Sequence, residues 1–98
     1  MVIRYSRQVI DSSDVRNVIK TLNSDWLTTG PSIEKFEKEI CKKVNSNYGV
    51  AVGSGTEALL ISLMAIGIKK GDEVITASNT AIPTISAIVS SGAKPVLV

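Results

Sequence analysis

The second half of the sequence alternates short apolar runs with stretches of helical character, and this alternation leaves few folds open to it. The strand-like runs are YGVAV, GDEVITA and KPVLV, and the helical stretches between them are EALLISLMAIGI and NTAIPTISAIVSSGA. Strands that alternate with helices of about ten to fifteen residues predict βαβ units and a parallel sheet. We therefore expect an α/β fold with a βαβαβ segment over residues 48–98.

The first half of the sequence predicts two helices joined by the loop WLTTG. In DSSDVRNVIKTLNSD the apolar positions recur at helical spacing, and three residues could cap the first turn: Asp11, Ser12 and Ser13. Pro31 suits the first position of the second helix. The apolar face of that helix consists of Ile33, Phe36, Ile40 and Val44.

Composition excludes several classes of function. The 98 residues carry a formal net charge of +2, which favours neither nucleic acid nor a membrane surface as partner. One cysteine and no histidine argue against a disulfide framework, a metal site and a Ser-His or Cys-His nucleophile. No apolar run approaches the roughly 20 residues of a membrane span, and the start lacks a signal-peptide pattern. We expect a cytoplasmic protein.

The stretch AVGSGTEALLISL places three small or polar residues between a predicted strand and a helix. The first N–H groups of a helix and its dipole attract phosphate or carboxylate, Gly55 permits close approach, and Thr56 adds a hydroxyl group. Alternatively, Ser54 and Glu57 form a capping box, in which Ser54 accepts from the Glu57 N–H and Glu57 reaches back to Ser54. The residues alone leave both interpretations open.

Two further patterns have ordinary explanations. Gly53, Gly55 and Ala58 formally satisfy the dinucleotide pattern GxGxxG/A, but the next strand ends in VITASNT without an acidic residue for a ribose. SNTAIPT follows that strand at the sheet edge where ligand sites form in α/β proteins. It is equally a helix start, with Asn79 or Thr80 as N-cap and Pro83 in the first turn.

Three stretches together resemble a known family. SDWLTTGPSIEKFEKEI, AVGSGTEALLISLMAIGIKKGDEVITASNT and SSGAKPVLV look like the amino-terminal part of the DegT/DnrJ/EryC1/StrS sugar aminotransferases. These are pyridoxal-phosphate (PLP) enzymes of fold type I that aminate nucleotide-linked keto-sugars. The resemblance implies an incomplete three-layer α/β/α large domain. Residues 1–47 would form an N-terminal arm and two helices, and residues 48–98 the start of the large-domain sheet.

The resemblance also implies a site. Gly55, Thr56 and the N–H of Glu57 would hold the cofactor phosphate. Thr80 and Ala81 fall where relatives cover the pyridine ring, and Ala81 departs from the large aromatic residue that is common there. The positions that match the substrate and cofactor pocket of relatives are Tyr5, Leu27, Thr28, Thr29 and Gly30.

The implied reaction is a ping-pong transamination in amino-sugar biosynthesis, usually with glutamate as donor, by a homodimer. The Schiff-base lysine of the family would lie beyond Val98, and none of the eight lysines here occupies its position. We therefore expect no catalytic residue in this chain, weak PLP binding without a covalent link, and no activity of the chain alone. Two alternatives stay open: a truncated, non-catalytic remnant, and a small module that binds another phosphate compound such as a nucleotide.

Overall fold

The computed structural model describes residues 6–98, which form two units, one ending at Gly49 and the other spanning Val50–Val98. Tyr5 lies outside the described residues. The first unit contains helices α1 (Ser12–Leu22) and α2 (Pro31–Val44). The second contains α3 (Gly55–Ala65), β1 (Glu73–Thr76), α4 (Ile82–Ser90) and β2 (Lys94–Leu97).

Helix α1 begins at a reciprocal cap. Asp11 Oδ1 accepts from the backbone N–H groups of Ser13 at 2.6 Å and Asp14 at 3.2 Å. Asp14 Oδ2 in turn accepts from the Asp11 N–H at 3.0 Å. Of the three capping candidates, Asp11 is therefore the N-cap, because its carboxylate satisfies donors that the first turn leaves unpaired.

Helix α2 starts at Pro31, as its sequence predicts, with Gly30 as N-cap. The missing N–H of proline is no loss at this position, since the first N–H groups of a helix lack intrahelical acceptors. The helix ends at Asn45, whose N–H donates to the carbonyls of Cys41 and Lys42. Its left-handed backbone (φ 54°) turns the chain so that the Ser46 N–H also donates to the Cys41 carbonyl, at 2.9 Å.

The two strands form a parallel pair in the second unit. Glu73 pairs with Lys94 and Thr76 with Leu97, so β1, α4 and β2 make one βαβ unit. Lys94 Nζ also donates to Glu73 Oε1 at 3.0 Å, but this exposed ion pair adds little stability. The prediction of a parallel sheet is confirmed for these two strands.

The predicted first strand, YGVAV, is not a strand. Residues 48–52 pair with neither β1 nor β2, so the second unit runs α3–β1–α4–β2 and not βαβαβ. A strand is defined by ladder hydrogen bonds to a neighbour, which an apolar, β-prone composition cannot supply by itself.

Helix α4 packs on both strands and against α3, and it forms the centre of the second unit. Ala87 and Ile88 of α4 are buried, as is Ala93, the residue before β2. Helix α3 is apolar nearly all round, and its side chains Leu59 and Met64 remain exposed.

The boundaries of α4 differ from the sequence prediction at one end. Its N-cap is Ala81, and neither Asn79 nor Thr80 takes that role. The carbonyl of Ala81 accepts the first helical hydrogen bond from the Thr84 N–H at 3.0 Å, because the chain turns one residue later than expected. At the other end Gly92 has φ 90° and stops the helix as predicted.

Across the described residues 6–98, the helices are all too short or too polar to cross a bilayer.

Candidate anion-binding site

The candidate site lies in the first turn of α3. Ser54, in extended conformation (φ −159°, ψ 162°), is the N-cap, and its Oγ accepts from the Glu57 N–H at 3.2 Å. This bond is one half of the predicted capping box. It also occupies the N–H that the resemblance assigns to the cofactor phosphate, so an anion could use that donor only by sharing it with Ser54.

The other half of the box differs from the prediction. Glu57 Oε2 accepts from the backbone N–H of Gly53 at 2.8 Å, one residue before the expected partner, Ser54. Gly53 suits this arrangement, since a Cβ atom there would stand 2.9 Å from the same oxygen. Two side-chain hydrogen bonds therefore fasten the turn, and both connect Glu57 to a residue that precedes Gly55, namely Gly53 and Ser54.

Two backbone donors of the turn remain available. Among residues 6–98 no atom accepts a hydrogen bond from the N–H of Gly55 or Thr56. These N–H groups lie at the positive end of the α3 dipole, where a phosphate or carboxylate is stabilised. The hydroxyl group of the half-buried Thr56 likewise has no partner in the same part of the chain.

Gly55 is a glycine that neither the backbone nor its surroundings require. Its φ is outside the left-handed range, and a Cβ atom built on it would meet no heavy atom of residues 6–98 within 4 Å. The space over the first turn is therefore open. A phosphate oxygen could enter it and meet the N–H groups of Gly55 and Thr56, which is the arrangement that a phosphate cradle needs.

The other two predicted cofactor residues precede α4. Thr80 is half-buried, and its hydroxyl group shares a hydrogen bond of 2.8 Å with that of Thr84. Ala81 is exposed at the N-cap. Because α3 and α4 pack together, both predicted cofactor segments lie in the second unit at the N-terminal ends of packed helices.

Apart from Tyr5, which lies outside the described residues, the predicted substrate residues lie in the loop between α1 and α2 in the first unit. Leu27 is exposed, and Thr29 has a left-handed backbone, with φ 45°. This conformation is rare for a β-branched residue, and such strain is concentrated at functional sites. Gly30, by contrast, has a local explanation, because a Cβ atom there would lie 2.7 Å from the Trp26 Cβ.

The second unit also contains an apolar groove of about 300 Å³ between α3, β1 and α4. Its polar lining groups are the hydroxyls of Ser62, Thr76 and Thr84. Ser62 already donates to the Ala58 carbonyl at 2.7 Å, and Thr84 is paired with Thr80. The groove therefore offers few free polar groups, and the first turn of α3 is the better candidate for an anionic ligand.

Sequence inspection missed two features of these segments. The bond from Gly53 to Glu57 has no distinguishing sequence signal, because Ser54 and Glu57 also have the spacing of a capping box. The left-handed Thr29 has none, since threonine is not a residue that favours this conformation.

An α/β unit with an open, glycine-containing helix start after an extended segment is typical of proteins that bind phosphorylated ligands. Comparison with known proteins narrows this class. The model of the DegT/DnrJ/EryC1/StrS aminotransferase family matches residues 8–98. The chain belongs to this family.

Solved structures of aminotransferases share the fold. Spr1654 of Streptococcus pneumoniae, assigned as a sugar aminotransferase and solved in its PLP form, is 33% identical with a TM-score of 0.87, over 98% of this chain and 24% of that one. NtdA of Bacillus subtilis with bound cofactor PMP is 35% identical with a TM-score of 0.80, over 90% of this chain and 21% of that one.

A third match is PseC of Helicobacter pylori, an aminotransferase involved in the biosynthesis of pseudoaminic acid. It is 29% identical with a TM-score of 0.86, over 96% of this chain and 26% of that one. The chain thus spans about a quarter of the length of these solved structures.

Proposed function

We propose that the first turn of α3 anchors the phosphate group of PLP in a sugar aminotransferase. The observation that carries this proposal is the pair of N–H groups at Gly55 and Thr56, which have no acceptor among residues 6–98 and border a space that a Cβ atom would enter freely. Membership of the aminotransferase family and the PLP and PMP forms of its solved relatives support PLP as the phosphate compound.

The residues of the first turn have separate proposed roles in phosphate binding. The N–H groups of Gly55 and Thr56 and the Thr56 hydroxyl donate to the phosphate, and the Glu57 N–H contributes only as a donor shared with Ser54. When bound, PLP supplies an electron sink for the transfer of an amino group. The residues of this chain position it, and none of them is assigned a proton transfer.

The remaining residues are proposed for the walls of the site. Thr80 and Ala81 would lie beside the cofactor ring, where the small side chain of Ala81 leaves the ring without an aromatic neighbour from this position. The residues proposed for the substrate pocket are Tyr5, Leu27, Thr28, Thr29 and Gly30. The strained backbone of Thr29 supports a functional part for this loop.

The activity proposed for the whole protein is based on the family to which the chain belongs. The proposed substrate is a nucleotide-linked keto-sugar, the proposed amino donor is glutamate, and the working form is a cytoplasmic homodimer with fold type I layering. The support is the family match over residues 8–98 and the likeness to aminotransferases of amino-sugar biosynthesis.

A second candidate function rests on the same turn. Free N–H groups at a helix start bind any phosphate, so a site for a nucleotide or inorganic phosphate has the same local support. The two candidates differ in selectivity, since a site shaped for PLP prefers it over both other compounds.

Calorimetric titration with PLP, uridine diphosphate and inorganic phosphate tests the proposal. Thr56→Val removes the hydroxyl donor, and PLP affinity should fall about tenfold, as for a hydrogen bond to a charged group. Thr76→Val is the matched control, because Thr76 is also half-buried and its hydroxyl also lacks a partner among residues 6–98. Equal affinities for PLP and uridine diphosphate, or no response to Thr56→Val, would count against the proposal.

A further inference from the structure

We propose that the side chain of Glu57 is a positioning residue for this site. Its carboxylate holds the turn from Gly53 to Gly55 in the shape that keeps the N–H groups of Gly55 and Thr56 available, although its charge opposes the anion that they bind. The inference rests on the proposed function. It assigns a role to the side chain of Glu57 that is separate from the role of its backbone N–H.

The geometry supports a positioning role. The bond from the Gly53 N–H to Glu57 Oε2 is 2.8 Å long and charge-assisted, which places it among the stronger hydrogen bonds in proteins. Together with the 3.2 Å bond from the Glu57 N–H to Ser54 Oγ, it fixes both sides of the turn.

The turn needs such fixing because it contains two glycines. Gly53 and Gly55 flank Ser54, and glycine has the largest range of accessible backbone conformations. If the carboxylate is removed, the Gly53 N–H loses its acceptor and the turn can adopt other conformations. The anion would then have to order the turn as it binds, which weakens binding through lost preorganisation.

The negative charge of Glu57 weakens anion binding, whereas its hydrogen bond to Gly53 strengthens it. The carboxylate interacts favourably with the α3 dipole in the absence of ligand, but it repels a phosphate that approaches the same turn. Glu57→Gln keeps an acceptor for the Gly53 N–H and removes the charge, whereas Glu57→Ala removes both. We therefore expect Glu57→Gln to bind phosphate at least as tightly as wild type and Glu57→Ala to bind it more weakly.

The test uses the full chain and inorganic phosphate as the probe, with dissociation constants measured by calorimetry and the Gly53 amide followed by hydrogen exchange. Glu57→Ala should weaken phosphate binding about threefold to tenfold, the range of one net hydrogen bond. It should also accelerate exchange at Gly53. Glu57→Gln should retain both the affinity and the protection. Glu73→Gln makes the same change in net charge on β1 and should leave both quantities as in wild type.

Two results would overturn the proposal: Glu57→Ala that binds phosphate as tightly as wild type, or Glu57→Gln that binds as weakly as Glu57→Ala. Failure of the proposed function would give a different result. The wild-type chain would then bind inorganic phosphate with the predicted dependence on Glu57 but would show no preference for PLP. Wild type that binds neither compound at the turn overturns both.

Discussion

Glu57 Oε2 accepts a hydrogen bond from the Gly53 N–H, and the same oxygen lies next to the position that a Cβ atom on Gly53 would take. The bond is 2.8 Å long, and a Cβ atom at Gly53 would stand 2.9 Å from the same oxygen. The contact with Glu57 therefore explains why position 53 is a glycine, whereas Gly55, two residues later, has no such partner in the part of the chain that the structure describes.

This relationship predicts the effect of Gly53→Ala. The new Cβ would displace the end of a flexible side chain, so the fold should persist while the hydrogen bond is lost, at a cost of about 1 kcal/mol in the free energy of unfolding. Urea unfolding measures this cost.

A double-mutant cycle supplies the control. In the Glu57→Ala background the carboxylate is already absent, so Gly53→Ala should cost little or stabilise by restricting the unfolded chain. Equal costs in the two backgrounds would show that Gly53 and Glu57 are not coupled.

Gly30→Ala should destabilise the first unit. The added Cβ would lie 2.7 Å from the Cβ of Trp26, and because this atom is fixed to the backbone, the loop itself must shift. Overpacking of this kind lowers the free energy of unfolding by about 1–3 kcal/mol. Trp26 is the only tryptophan of the sequence, so its fluorescence reports both the shift and the unfolding midpoint.

Gly55→Ala is the control for Gly30→Ala, since its Cβ would meet no atom of the described residues, 6–98, within 4 Å. An unchanged midpoint and unchanged Trp26 emission in Gly30→Ala would contradict the close packing of the loop against Trp26.

The start of α1 should depend on pH through Asp11. The hydrogen bond from the Ser13 side chain, with those from the backbone N–H groups of Asp14 and Ser13, lowers the pKa of the Asp11 carboxyl below its ordinary 3.8. The folded turn thus binds this proton more weakly than the unfolded chain. Its contribution to stability is complete above pH 3.8 and is lost as the pH falls through the lowered pKa.

Carbonyl and Cα chemical shifts of residues 11–14, recorded from pH 7 to pH 2, measure this transition. Asp11→Asn retains a good N-cap that does not titrate, so it should remove the Asp11 component of the transition. An Asp11 carboxyl that titrates at or above its ordinary pKa would contradict the cap.

The sequence predicts those parts of the fold that local chemistry determines. Asp11 is one of the three residues predicted to cap α1, Pro31 marks a helix start, and Gly92 supplies the left-handed residue that stops α4. In each case the interaction is completed within a few residues along the chain, so the pattern of residue types contains the information.

The errors occur where distant or conformational information is needed. YGVAV has the composition of a strand, but pairing depends on a neighbour that this composition does not identify. Glu57 reaches Gly53 and not Ser54 because the turn dihedrals, which the sequence does not state, set the direction of the N–H groups. For the same reason Ala81 replaces Thr80 as the N-cap of α4.

The candidate site was predictable in part. The residue types of Ser54, Gly55 and Thr56 indicated an anion site or a cap, and the structure adds that Ser54 is the cap and that Gly55 and Thr56 retain free N–H groups. The choice of PLP as the anion depends on the family match, since a helix start alone does not distinguish phosphate compounds.

The dissociation constant of Gly55→Ala for PLP, measured beside its unfolding midpoint, tests the proposed phosphate site most directly. The backbone at Gly55 accepts alanine, and its Cβ would meet none of the described atoms within 4 Å, so the unfolding midpoint should stay the same or rise slightly. The Cβ would fill the space proposed for the phosphate, and PLP affinity should fall by about tenfold or more, or ~1.4 kcal/mol. Unchanged PLP affinity at unchanged stability would contradict a phosphate site at the first turn of α3.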